Sequence, residues 1–407
     1  MSPAVWETLD FVARWVHVVA GIMWVGNSML FNWLDRSLTP AGPRPQTPQP
    51  TGAIWLLHSG GFYYVEKTLL GGAPMPRPLH WFKWQAYTTW ISGMALLLVV
   101  YYLSDRAVLA DPSVHDLSRR HAAALGLFGI ALGWGLYEAM NRLVAPRATR
   151  VAVTVWIGGL VALSAAFIGH LSGRAAFLHV GAMLATIMAG NVAMTIVPSQ
   201  RALVAAVEGG GAGAPALSAR AKRVSIHNNY FTFPVIALMV SNHFPAIYGH
   251  RWSWLLLLLI VAAGAAVRHV LNVRFGWPGW KPALAAVLGT SVTAIYAVLA
   301  MPARPVESTV PPSQAAAATP VTFADARHVV DRRCAACHSA QPSDLTFGAA
   351  PAGVTFDTPE QIAARAARIR ERAVITRTMP PANKTRITDD ERAVLARWID
   401  AGAHTSP

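Results

Sequence analysis

With 407 residues, of which 54% are hydrophobic and only 13% charged, the chain has more apolar surface than one water-soluble domain could bury, so composition excludes an ordinary soluble enzyme. A formal charge of +14 would suit a nucleic-acid binder if the basic residues shared a soluble domain, but residues 322 to 407 hold twelve basic and ten acidic side chains; most of the excess lies elsewhere, and no nucleic-acid module is expected.

Apolar stretches near the ~20 residues that a helix needs to cross a bilayer predict eight spans. They run at about 9–33, 86–104, 122–141, 151–170, 175–197, 229–248, 252–274 and 281–301, within an integral membrane domain over 1–301. The first reads as a retained anchor and not a signal peptide, because its front end, SPAVWETLD, is acidic and no A-x-A site follows. Within it Arg14, His17, Gly21, Trp24 and Ser28 recur at i, i+3/i+4 spacing, as do His179, Met183, Thr186 and Gly190 in the fifth span. Small and polar residues at that spacing are expected to face other helices and not lipid. Glu138, toward the inner end of the third span, can snorkel to the nearby surface. His58 and His80 fall in the long first loop, where solvated roles are expected.

Residues 302–321 are rich in Pro and Ala without an apolar period and read as a tether. A small helical domain is expected over 322–407. Thr322 to Arg333 predicts a short helix. It runs into Cys334-Ala335-Ala336-Cys337-His338, which contains both cysteines of the chain. A C-x-x-C-H run is the attachment site of a c-type haem: two thiols form thioethers to the porphyrin and the adjacent imidazole ligates iron. Zinc would need about four ligands, and no second Cys/His pair lies nearby. Thr358, Pro359 and Gln361 supply an N-cap, an N1 proline and an N3 partner for a second helix, EQIAARAARIRERAV; Thr388 and Glu391 form a capping box for a third, with Gly402 at its C′ position. Between these two helices lies TMPP, where Met379 is the candidate sixth ligand of the iron; a thioether raises reduction potential and suits an electron acceptor. The alternative for Met379 is plain core packing. The expected fold class is all-α: an eight-helix transmembrane bundle followed by a small class I-like cytochrome c domain.

Orientation follows twice. Haem joins C-x-x-C-H motifs outside the bacterial cytoplasm, which puts the C-terminus there, and eight spans put the N-terminus on the same side. The loops assigned to the cytoplasm hold fifteen Lys and Arg residues against five in the outer loops, Arg106, Arg119, Arg120, Arg174 and Arg251. The expected location is the bacterial inner membrane, with the cytochrome in the periplasm. Four histidines, His17, His170, His179 and His243, then share the leaflet beneath the cytochrome. Ionisable groups inside a membrane are functional suspects. These could ligate a haem b, bind an anionic substrate, relay protons, or simply hydrogen-bond neighbouring helices. His227 and His269 lie nearer the inner side.

RWVHVVAGIMWVGNSMLFNW (14–33), FYYVEKTLLGGAPMPRPLHWFKWQAY (62–87), HNNYFTFPVIALMVSNHFP (227–245) and a C-terminal CAACH domain, in that order, resemble the membrane-bound, cytochrome-type urate oxidases, the PuuD or urate hydroxylase family. The resemblance covers nearly the whole chain and implies two-electron oxidation of urate to 5-hydroxyisourate. Water would supply the oxygen, and electrons would leave through haem c to a soluble cytochrome c or a terminal oxidase without hydrogen peroxide. It supplies no catalytic constellation residue by residue. Because one haem c takes one electron and urate gives two, a second haem in the membrane domain is an open expectation. For a planar monoanion such as urate, Arg14, Arg174, Asn242 and a neutral histidine such as His243 are suitable partners, and a histidine near its working pKa could take the released proton. A non-catalytic electron conduit, or a haem-bearing subunit of a respiratory complex, is the alternative; a transporter is disfavoured by the lack of an internal repeat or paired broken helices.

Overall fold

The computed structural model describes residues 3–40, 50–68, 70, 74–103, 109–209, 215–301, 321–344 and 350–405. The tether read over 302–321 lies, but for Val321, outside the described residues, as does Arg106.

The chain is mainly helical. Seven helical stretches among the described residues are long and apolar enough to cross a membrane: Val5–Ser37, Trp84–Leu103, Arg119–Val144, Thr149–His170, Gly173–Glu208, Ser253–Val273 and Trp280–Leu299. They comprise α1 (Pro3–Ser37), α2 (Trp84–Leu96), α3 (Arg119–Ala139), α4 (Thr149–His170), α5 (Gly173–Asn191) with α6 (Val197–Glu208), and, after α7 (Pro215–Ser241) and α8 (Pro245–Tyr248), α9 (Ser253–Val273) and α10 (Trp280–Leu299). The stretch read as the sixth span, 229–248, is divided differently. Its first part is the second half of α7 (Pro215–Ser241), whose first half carries Arg220, Lys222 and Arg223 and dilutes its apolar character. The helix stops at Ser241, and Pro245–Tyr248 forms a separate short helix, α8.

Helix α5 occupies the centre. Its best apolar window is 61% buried, against 6% for those of α1 and α10, which stand at the rim. Phe177, Val180, Met183, Leu184 and Ile187 of α5 are all essentially inaccessible and join Phe167 and Leu257 in the main core. α9 approaches α7 closely at Pro234, an internal proline: a Cβ at Gly264 would sit 2.7 Å from the Pro234 nitrogen. Three helices run on into π-helical turns, Leu97–Leu103, Met140–Val144 and Val192–Ile196, a form often found near functional sites.

The long first loop departs from the all-α expectation. Pro50–His58 (β1) and Gly61–Thr68 (β2) pair antiparallel, with Trp55 opposite Tyr64 and Leu57 opposite Phe62. Ser59 and Gly60 between them have φ of 49° and 76°, the left-handed pair that a two-residue hairpin turn requires. An ion pair between Lys67 and Asp35 and a bridge from Thr39 to Ala53 fasten the hairpin to the end of α1.

The C-terminal region forms a helical domain with its own core around Trp398, Leu395, Val330 and Ile362. Its helices are α11 (Phe323–Arg333), α12 (Pro359–Ala363), α13 (Ala366–Ile369) and α14 (Asp389–Asp400). Complete capping boxes open α11 (Thr322/Asp325), α12 (Thr358/Gln361) and α14 (Thr388/Glu391), and Gly402, at φ 101°, follows the last. The continuous second helix expected after Pro359 is broken after Ala363 and passes into a π-helical turn over Arg370–Ile375. Ile362, Ala366, Ile369, Ala373 and Val374 are all buried in the core, so the breaks leave the apolar face of this segment turned inward. This domain sits on one end of the bundle, where Arg386 pairs with Asp116 at 3.2 Å and the Thr376–Thr378 segment lies over Gly249.

Candidate functional site

At the end of the bundle beneath the C-terminal domain, α1, α2, α5 and the turn after α7 enclose a cavity of about 400 Å³. Arg14, His17, Tyr101, Arg174, Asn242 and His243 supply its polar lining. The inward stripe on α1 brings three of its members, Arg14, His17 and Trp24, to the same wall, and Thr186 of the α5 stripe lies opposite, accepting from the Trp90 indole N–H at 3.1 Å. Helical spacing therefore assembles the cavity from elements remote in sequence.

Electrostatics distinguish the two arginines. Arg14 is paired with Asp10 one turn earlier at 2.6 Å, so its charge is largely compensated. Arg174 donates to the side-chain oxygen of Asn242, a neutral partner, and meets no carboxylate among the described residues. A half-buried cation with a neutral partner, on the wall of a cavity, is arranged to receive an anion. His17 is orientated: its Nδ1 donates to the Thr89 carbonyl at 2.9 Å and lies 3.2 Å from Ser92 Oγ, which fixes Nε2 as the unprotonated nitrogen. Gly93 makes room for the ring, since a Cβ there would come within 2.9 Å of His17 Cε1. Tyr101 contributes a buried hydroxyl without a hydrogen-bond partner among the described residues. Sequence reading passed over it, although a Tyr-Tyr pair near the end of an apolar stretch was a legible signal for polar groups there.

His179 and His170 stand apart from the cavity. His179 is fully buried, donates through Nδ1 to the Ala175 carbonyl at 2.7 Å and accepts at Nε2 from the Tyr102 hydroxyl at 2.8 Å, so neither nitrogen is free for iron or substrate. His170 is exposed, bonds Ala166 of its own helix, and meets the His115 ring at a tilt of 51° with centroids 4.9 Å apart. Only His17 and His243 share the cavity. Toward the other end, His227 pairs with Tyr137 at 2.7 Å, His269 with Tyr230 at 2.8 Å, and Glu138 with Arg142.

In the C-terminal domain Cys334 and Cys337 are free, with burial pushing their thiols up to about 12 and about 11. His338 Nδ1 donates to the Val354 carbonyl at 2.9 Å, which leaves Nε2 as the ligating nitrogen, the arrangement a haem-binding histidine needs. Half-buried Met379 is set by its own backbone: its N–H donates to the Arg372 carbonyl at 2.9 Å, and its carbonyl accepts from the buried Arg392 at 3.1 Å. Burial lowers the Arg392 guanidinium to about 10. Two free thiols, a histidine with one nitrogen tied back and a methionine whose backbone is held by a buried arginine fit a covalent c-type haem.

A family described as urate oxidase N-terminal matches residues 3–301, nearly three quarters of the chain. Neither curated proteins nor solved structures give a match.

Proposed function

Because the chain belongs to the urate oxidase N-terminal family, we propose that it oxidises urate to 5-hydroxyisourate in the Arg174 cavity and passes the electrons to a c-type haem held by Cys334, Cys337, His338 and Met379. The observation that carries this reading is Arg174, a cation on a cavity wall with only a neutral partner among the described residues.

The overall change is urate plus water to 5-hydroxyisourate, two electrons and two protons. Arg174 and Arg14 bind the planar monoanion, with Asn242 and the Tyr101 hydroxyl offering further polar contacts to its oxygens and ring nitrogens. His17, a cavity residue with Nε2 left unprotonated, accepts the proton of the attacking water, while the Thr89 carbonyl at Nδ1 stabilises the imidazolium that results. Trp24, Trp90 and Met94 supply an apolar wall that limits competing water. The haem, when bound, supplies a one-electron acceptor, so the two electrons leave in succession. Oxygen takes no part and no peroxide forms.

The same reading places the protein in a bacterial inner membrane, with the bundle in lipid and the cytochrome on the periplasmic side. A soluble cytochrome c or a terminal oxidase then takes the electrons. A purely conducting subunit would leave the cation at Arg174 without a task. Anaerobic mixing of oxidised holoprotein with urate tests the proposal: the reduced c-type spectrum should appear, and a b-type band beside it would reveal a second haem. A haem reducible by dithionite and indifferent to urate would overturn it.

A further inference from the structure

Tyr248 and Gly249 meet the two parts of the chain at once. Tyr248 ends α8, and its carbonyl and Cβ lie so close to Gly173 that a Cβ at Gly173 would collide with the Tyr248 carbonyl oxygen. Gly173 immediately precedes Arg174, which bounds the cavity. On the other side, Gly249 lies under the C-terminal domain: a Cβ at Gly249 would sit 2.7 Å from the Thr376 carbonyl oxygen and 2.8 Å from Thr378 Cγ2. Thr378 immediately precedes Met379. Gly249 has φ −89°, which any residue adopts, so space and not backbone freedom demands a glycine there. Burial raises the Tyr248 phenol, while the Arg174 and Arg372 charges pull it down.

We infer that the Tyr248–Gly249 contact couples the cavity to the haem, carrying each electron from substrate toward the Met379 side of the cytochrome. This rests on the proposed oxidation of urate. Each transfer takes one electron from the substrate to the one-electron acceptor that a haem held by His338 and Met379 would supply; of the two protons, the first goes to His17 and the second to water. Electron tunnelling weakens steeply with the width of a gap between packed groups. Tyr248 packs on the cavity wall, and Gly249 lets the Thr376–Met379 segment approach to van der Waals distance. The Arg386–Asp116 pair, exposed on both partners, holds the domain in register from a second point.

The test uses full-length holoprotein in nanodiscs. In Gly249→Val the added side chain must displace Thr376 and Thr378, and urate-driven reduction of the haem should slow severalfold as the gap widens. The urate concentration giving half-maximal rate, the haem spectrum, its midpoint potential and its direct reduction by ascorbate should all stay as in wild type. Hydrogen exchange at Thr376–Thr378 should become faster. A charge reversal at Asp116→Arg should slow transfer more mildly, and Asp116→Arg with Arg386→Asp should restore it. Wild-type transfer rates in Gly249→Val would overturn the inference and leave the urate reading standing. An equal loss with ascorbate or a shifted potential would also overturn it, because the defect would then lie in the haem domain. Urate failing to reduce the wild-type haem removes the functional reading and this inference together.

Discussion

The guanidinium of Arg174, in the first turn of α5, is held by the side-chain oxygen of Asn242, 68 residues later and just beyond the end of α7. The bond joins two helices at the mouth of the cavity and presents a cation with no acidic partner among the described residues. Arg174→Ala should therefore reduce kcat/KM for urate by ten- to a hundred-fold, the order expected from losing about 1.5–3 kcal/mol of charge-assisted hydrogen bonding. Arg174→Lys should recover part of the loss, because a point charge replaces a fork. Ascorbate reduction of the haem should not change. Arg14, already paired with Asp10, should be the less sensitive of the two on alanine substitution. Steady-state urate kinetics on the three variants decide the order.

His17 is held by the Thr89 carbonyl and by the space above Gly93. Gly93→Ala puts a methyl 2.9 Å from the ring and should rotate it away from its carbonyl. If Nε2 is the base, kcat should fall on the order of 10²-fold or more in His17→Ala and less in Gly93→Ala, with KM moving little in either. A loss confined to KM in both would assign His17 to binding.

His179 has a different place. Its two nitrogens are satisfied by Ala175 and Tyr102 inside a fully buried environment, as in an interhelical tie. Tyr102→Phe leaves Nε2 without its donor and should destabilise the bundle by about 1–3 kcal/mol. Thermal melting of the detergent-purified variant should show the decrease, while urate turnover below the melting range should stay near wild type. Selective loss of turnover with unchanged melting would return His179 to the reaction.

Much of this arrangement was legible in the residues. The i, i+3/i+4 stripe through Arg14, His17 and Trp24 foretold which face of α1 meets the cavity, and Thr322, Thr358 and Thr388 open helices where their capping partners said they would. What was missed has physical causes. The Trp55–Tyr64 hairpin was passed over because apolar length, the signal for spans, is blind to the period-two alternation and to the Ser59-Gly60 turn between its strands. The stop of α7 at Ser241 is a tertiary matter, as Pro245 starts a new helix that spans from Gly173 to the C-terminal domain. Four outer histidines at similar depth could not be separated by depth alone. Their rotation about each helix axis, and partners such as Tyr102 and Thr89 on other helices, decide which faces the cavity.

The capping acids of the C-terminal domain give it a predictable acid limb. Burial alone would raise Glu391, but the Arg333 hydrogen bond, the Thr388 N–H and the Arg333 charge outweigh it, and the carboxyl sits below its ordinary value. Asp325 is likewise lowered, by the Thr322 N–H and hydroxyl. A group whose pKa is lower folded than unfolded binds fewer protons when folded. Its contribution is complete above the unfolded value, about 4.3 for Glu and 3.9 for Asp, and disappears as pH falls through the folded value. Stability of the domain should thus be flat from neutral pH to about 5 and decline below it. Following the haem absorption during thermal melting of the holoprotein at stepped pH values tests this. Glu391→Gln should lower the neutral-pH melting temperature, because Arg333 loses its ionic partner, and should flatten the acid decline, because one of the protons responsible is gone. A variant with an undiminished acid limb would show that other carboxylates, such as Asp344 with its Lys384 partner at 2.6 Å, dominate the titration.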